Sequence, residues 1–148
     1  MQYNRDHNGK LSNLPKQCVD TGMGLERITA VMQNTSDNYE TDIFKETVDE
    51  IAKQLGEKDF KNPSLRVIAD HLRSSVFLIS DGVNPSNEGR GYVLRRIIRR
   101  ALRHAYKVNS LKDFSFSDIY DSLGESLFDA YPDIKSNKTF ILQELKSE

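Results

Sequence analysis

The sequence contains a single cysteine, Cys18, and no tryptophan. One thiol excludes an internal disulfide, and no Cys/His spacing of a zinc site accompanies it, so no zinc is expected. Long apolar runs are also missing. The longest is Val76-Phe77-Leu78-Ile79, far short of the roughly 20 residues that cross a bilayer as a helix. The opening residues, Met1-Gln2-Tyr3-Asn4-Arg5-Asp6, are polar and lack the apolar centre of a signal peptide. These absences make a reducing cytoplasm the expected compartment. No internal repeat or low-complexity stretch is present. What remains is 37% hydrophobic and 29% charged, an ordinary balance for a folded soluble chain and a poor one for a disordered chain.

The net charge of −1 gives no reason to expect a polyanion partner. The distribution of charge does. Residues 82–108 hold seven Lys/Arg and one acid, Glu88. Residues 36–62 and 109–148 each hold four lysines and eight acids. A basic band therefore lies between two acidic flanks.

Residues 1–19 read as a hairpin and an approach strand. The hairpin turns at Asp6-His7-Asn8-Gly9, and residues 10–14 and 17–19 are extended. The rest reads as helices. The first covers 25–33, with Leu25, Ile28, Val31 and Met32 on one face. The second covers 39–55, with Gly56 to end it. Asn62-Pro63 is an N-cap followed by proline at the first helical position, starting a helix over 63–79. Helices over 91–108, 117–130 and 136–145 follow, the last two separated by Pro132. The fold class is α+β, mostly α: a short antiparallel β piece followed by a helical array. So small a sheet leaves open edges, which suggests an internal fragment of a larger chain.

Asp20-Thr21-Gly22-Met23-Gly24-Leu25-Glu26-Arg27 lies between the extended segment and the first helix. Glycines let a backbone approach a ligand. The helix start favours negative charge. Asp20 can bind an ammonium group, and Arg27, one turn into the helix, can pair with a phosphate. Gly-Lys-Ser/Thr is absent, so this is not a P-loop, and the three-glycine dinucleotide fingerprint is absent too. The same residues also suit a plain connector with a capping Asp and a solvated Arg.

Val19-Asp20-Thr21-Gly22-Met23-Gly24-Leu25-Glu26-Arg27 resembles the third signature motif of the alanyl-tRNA synthetases, which are class II aminoacyl-tRNA synthetases. Met1-Gln2-Tyr3-Asn4-Arg5 resembles the strand leading into it. Arg66-Val67-Ile68-Ala69-Asp70-His71-Leu72-Arg73-Ser74 is similar to part of that family's helical domain. So is the stretch from Asp81-Gly82-Val83-Asn84-Pro85-Ser86-Asn87-Glu88-Gly89 through Arg95-Arg96-Ile97-Ile98-Arg99-Arg100. The resemblance covers residues 1–106 well and the acidic tail loosely. It implies residues 1–33 as the end of a class II catalytic domain and 34–148 as an incomplete helical tRNA-recognition domain. It implies alanine, ATP with Mg²⁺, and the acceptor stem of tRNA(Ala) as partners, with neither membrane nor DNA. Asp20 would hold the alanine ammonium, Gly22 would line the amino-acid pocket, Gly24 would leave room for the nucleotide, and Arg27 would contact ATP as the catalytic arginine. The first two class II motifs and the editing domain are not in this sequence. The expectation is a fragment beginning after the second motif, inactive alone.

On a helical wheel over 91–108, Arg95, Arg96, Arg99, Arg100, Arg103 and Lys107 fall within roughly 140°. Leu94, Ile97, Ile98, Ala101, Leu102 and Ala105 take the other side. Such a face suits phosphates, and it equally suits pairing with the acidic flanks. The resemblance favours tRNA contact for some of the arginines. It also places an asparagine, here Asn87, against the G·U wobble pair of the acceptor stem, where RNA offers a wide minor groove. The alternative for Asn87 is a turn cap. His71 reads as structural, and Tyr3, Tyr92 and Tyr106 as packing residues. Two other readings stand beside the ligase: a helical RNA-binding module without activity, and a helix-turn-helix DNA binder over 63–108 that leaves 17–27 unexplained.

Overall fold

The computed structural model describes residues 1–19 and 21–148. Two strands, β1 (Tyr3–Arg5) and β2 (Leu11–Asn13), pair antiparallel with Tyr3 opposite Asn13 and Arg5 opposite Leu11. Asp6 builds the turn between them. Its Oδ1 accepts from the N–H groups of Asn8 and Lys10, both at 2.9 Å. All six strand residues are exposed, so the ribbon has no buried face. Residues 17–19 join neither strand. The Asp20 position expected to bind an ammonium group lies outside the described residues.

Helix α1 (Leu25–Met32) forms close to where its apolar spacing predicts. Its predicted apolar face is not covered: Leu25, Ile28, Val31 and Met32 are all exposed, and Ala30 is the buried residue. The short 3-10 turn Asn38–Glu40 is a neighbour of α1. The expected helix over 39–55 starts later, as α2 (Lys45–Leu55). Two local hydrogen bonds divert the chain first. Asp37 accepts from the Tyr39 N–H at 3.0 Å, and the buried Thr41 hydroxyl donates to the Asn38 carbonyl at 2.6 Å. This is how short polar side chains compete with a helix.

Helix α3 (Pro63–Ser80) begins as the sequence indicates, with the Asn62 side chain accepting from the Ser64 N–H at 3.0 Å. Helix α4 (Gly89–Val108) starts two residues before the expected position. The α3–α4 pair is the most extensive contact between elements. The helix expected over 117–130 is broken instead into α5 (Phe116–Ile119), a 3-10 turn (Tyr120–Leu123) and α6 (Glu125–Ala130). Gly124 is the reason: its φ of +92° is left-handed, and a helix cannot run through it. Pro132 opens α7 (Pro132–Ser136), and α8 (Lys138–Lys146) follows.

One core joins α2 to α8, from Phe44 through Ile51, Leu72, Leu94 and Ile98 to Leu145. Long-range bonds tie its rim. Thr47 Oγ1 donates to the Ser122 carbonyl at 2.7 Å, and Asn109 Nδ2 to the Leu55 carbonyl at 2.9 Å. The buried Tyr120 hydroxyl donates to the Ile134 carbonyl at 2.9 Å. Burial, with the Asp121 charge adding, pushes its pKa up to about 12. Among the described residues before Phe44, Tyr39 and Ile43 pack against that core and none belongs to its fully buried part.

Candidate functional site

Two groups of candidate residues stand on different elements of this architecture. The first is the glycine turn. Gly22 and Gly24 are exposed, and a side chain at Gly22 would meet no atom within 4 Å. Gly24 caps α1 without a side chain, and its carbonyl accepts from the N–H groups of Arg27 and Ile28, both at 3.1 Å. The Arg27 side chain folds back along the same surface, its Cγ and Cδ both 3.8 Å from where a Cβ on Gly24 would lie. Arg27 is exposed and makes no ion pair among the described residues. Among the described residues, an unpaired guanidinium therefore stands beside the acidic Glu26 at a helix start that no side chain caps, where the Leu25 and Glu26 N–H groups have no partner within the helix. That arrangement fits an anion such as a phosphate. Among the described residues, no group of His, Cys, Asp and Glu suited to a metal ion is present.

The second group stands on α4. Leu94, Ile98, Ala101 and Ala105 are buried against the core, which fixes the direction of the arginines. The arginines divide into two rows. Arg95 and Arg99 reach Glu148, with Nε-to-carboxylate distances of 2.8 and 3.4 Å. Arg95 also donates from Nη1 to Asn87 Oδ1. Arg96, Arg100 and Arg103 pair with no acid among the described residues. They line a groove of about 580 Å³ together with Arg99, His71 and Tyr92. The Arg96 guanidinium lies over the Tyr92 ring, 5.8 Å from its centroid. The acidic flanks turn elsewhere: Asp121 to Lys138 at 2.6 Å, Glu125 to Lys135 at 3.1 Å, and Asp37 to Arg66 at 2.6 Å. Among the described residues, Glu148 is the acid of these flanks that pairs with the basic face.

Loop 83–88 packs across the start of α4. A Cβ at Gly91 would lie 2.2 Å from Ser86 Oγ and 2.4 Å from the Asn84 carbonyl oxygen. Only a residue without a side chain lets the loop lie so close. Asn87, at the outer corner of the loop, is exposed.

The family model of the class II (A) tRNA synthetases matches residues 1–148, the whole chain. The chain belongs to that family. Its similar proteins include alanine–tRNA ligases from Psychromonas ingrahamii (55% identical over 148 residues), Neisseria meningitidis (53% over 149) and Polaromonas sp. (51% over 148). Each match covers 100% of this chain and 17% of the relative. The chain thus spans about a sixth of the length of these curated relatives. None of its helices is long and apolar enough to cross a membrane.

Three neighbours of the basic face are not evident from the sequence. Tyr92 is half exposed on the groove rather than packed inside; its i,i+4 spacing to Arg96 is the signal that gives it away. His71 reaches the groove from α3, its Nδ1 2.8 Å from Asp70 Oδ2. Glu148 pairs across more than fifty residues of chain with Arg95, and nothing local announces it. His104 Nδ1 lies 3.0 Å from Ser64 Oγ. Burial, then the charges of Arg100, Lys107, His71 and Arg103, hold its pKa below the ordinary 6.5.

Proposed function

We propose that this chain is part of an alanine–tRNA ligase, with residues 1–33 closing a class II catalytic domain and residues 34–148 forming helical tRNA-recognition structure. In this reading alanine, ATP and the acceptor stem of tRNA(Ala) are the partners, and the compartment is the cytoplasm. Asp20 neutralises the alanine ammonium, Gly22 borders the amino-acid pocket, and Gly24 leaves space for the nucleotide. Arg27 takes a phosphate of ATP. The alanine carboxylate attacks the α-phosphate, alanyl-adenylate forms and pyrophosphate leaves. No protein nucleophile takes part, so these residues act by holding charges in register. Mg²⁺, which would screen the phosphates, is assigned to no residue of this chain. Alanine then passes to the tRNA.

The observation that carries the RNA half is the row of Arg96, Arg100 and Arg103, which pairs with no acid among the described residues and lies on the helix whose Arg95 meets Asn87. Phosphates bind such a row whatever the sequence, and Asn87 is the group near it able to read a base pair. A non-catalytic RNA-binding module is the second reading. It is favoured by the placement of the core, whose described buried residues begin at Phe44.

Alanine-dependent ATP–pyrophosphate exchange separates the two. A polypeptide of the relatives' length carrying this chain is expected to exchange, and this chain alone is not. There, Asp20→Ala is expected to weaken alanine by roughly 10–150-fold, the worth of one charged hydrogen bond, with less effect on ATP. Arg27→Ala is expected to act through ATP and the adenylation rate. Equal effects of both changes on both substrates would sink the separate roles. Absence of exchange in the long polypeptide would favour the binding module.

A further inference from the structure

Arg95 differs from the other arginines of α4 in what surrounds it. Its side chain is 26% exposed, against 61% for Arg99 one turn on. Nε donates to the Glu148 carboxylate and Nη1 to Asn87 Oδ1. Its charge is met by a carboxylate that is itself 9% exposed. A guanidinium so compensated has little left to exchange for the counterions of an RNA phosphate. It remains a fork fixed at two prongs, with a carboxylate on one side and a loop amide on the other.

That fork settles which way Asn87 faces. A guanidinium has donors and no acceptor, so the amide atom turned toward it is the oxygen. The NH₂ group therefore points away from Arg95. The loop that carries Asn87 is held as well. Its backbone is seated on Gly91, and Ser86 Oγ donates to the Glu88 carbonyl at 2.8 Å. An exposed asparagine would otherwise sample several rotamers and both amide orientations. Here one is selected before any ligand arrives, which removes an ordering cost from binding.

We propose that Arg95 is a positioning residue, which presents the Asn87 amide NH₂ to acceptors on the minor-groove edge of an RNA duplex and is not itself a phosphate contact. The inference rests on the proposed function, in which Asn87 faces RNA. It gives the arginines of α4 different roles. The Arg96, Arg100 and Arg103 row supplies charge, and Arg95 supplies orientation.

The test measures binding of two RNA duplexes that differ only in one G·U or G·C pair, at several salt concentrations, in the full polypeptide carrying this chain. Asn87→Ala is expected to lower the preference between the duplexes by roughly tenfold, in the range of a lost base-edge contact. Arg95→Ala is expected to lower it by a similar factor with an unchanged salt slope. The double variant is expected to lie within about twofold of Asn87→Ala alone, because the two residues act as one unit. Arg95→Lys keeps the charge without the fork and is expected to lose preference as Arg95→Ala does; it also separates this outcome from loss of fold. A salt slope flattened by about 0.7–0.9 in Arg95→Ala, with both duplexes weakened alike, would overturn the inference. So would an Arg95→Lys variant with wild-type preference. If Asn87→Ala leaves the preference unchanged, the RNA-facing reading of Asn87 falls and the inference falls with it. If Asn87→Ala lowers the preference and Arg95→Ala does not, the inference alone falls.

Discussion

The start of this chain and its helix α4 carry charge in different ways. Among the described residues before residue 34, Ala30 alone is buried, and Val19, Met23, Val31 and Met32 are each more than 70% exposed. The glycine turn and Arg27 thus stand on structure with no core of its own. On α4, each turn of arginines is backed by side chains at 0–1% exposure. The difference teaches what fixes a charged group in place. The helix-borne arginines are aimed by the burial of Leu94, Ile98, Ala101 and Ala105 behind them. Arg27 is aimed only by one short helix and the open surface of Gly24.

The largest effect that sharpens this comparison is on stability. Leu72→Ala empties a fully buried site on α3 and is expected to cost about 2–5 kcal/mol, a large part of the roughly 5–15 kcal/mol a domain has. Val31→Ala, on the uncovered face of α1, is expected to stay within about 0.5 kcal/mol. Urea titrations followed by circular dichroism compare the two. Equal losses would mean that α1 is as fully packed as the array, and the contrast would collapse.

The same contrast explains what could be read from residues alone. Helix α3 was legible because Asn62-Pro63 marks its start and its apolar period runs unbroken. Helix α4 was legible because arginines and aliphatic residues segregate at helical spacing. The helix expected over 117–130 was not, because Gly124 sits inside an otherwise helical pattern and only the left-handed backbone reveals that it interrupts. The late start of α2 depends on Thr41 and Asp37 bonding their own backbone, which competes locally with a good apolar period. At the site, the division between arginines was invisible. A wheel places Arg95 and Arg96 on one face, whereas Glu148, distant in sequence, separates them by charge.

A smaller effect lies at the junction of α3 and α4. His104 has a pKa below 6.5 in the folded chain, so the unfolded chain takes up the proton first as pH falls. Its contribution to stability is complete above pH 6.5 and declines as pH drops from there through the lower folded value. Unfolding midpoints at neutral pH and near pH 5 are expected to differ less in His104→Gln than in the parent. An identical difference in both would remove His104 from the acid response.

The proposed division is that Arg96, Arg100 and Arg103 meet RNA phosphates while Glu148 holds Arg95 and Arg99. Salt dependence of acceptor-stem duplex binding tests it most directly, because released counterions count the contacts. Replacing Arg96, Arg100 and Arg103 by alanine is expected to flatten the plot of log affinity against log salt by about 0.7–0.9 for each arginine that touches phosphate. An unchanged slope in the triple variant would contradict the account and move the RNA surface off this face of α4.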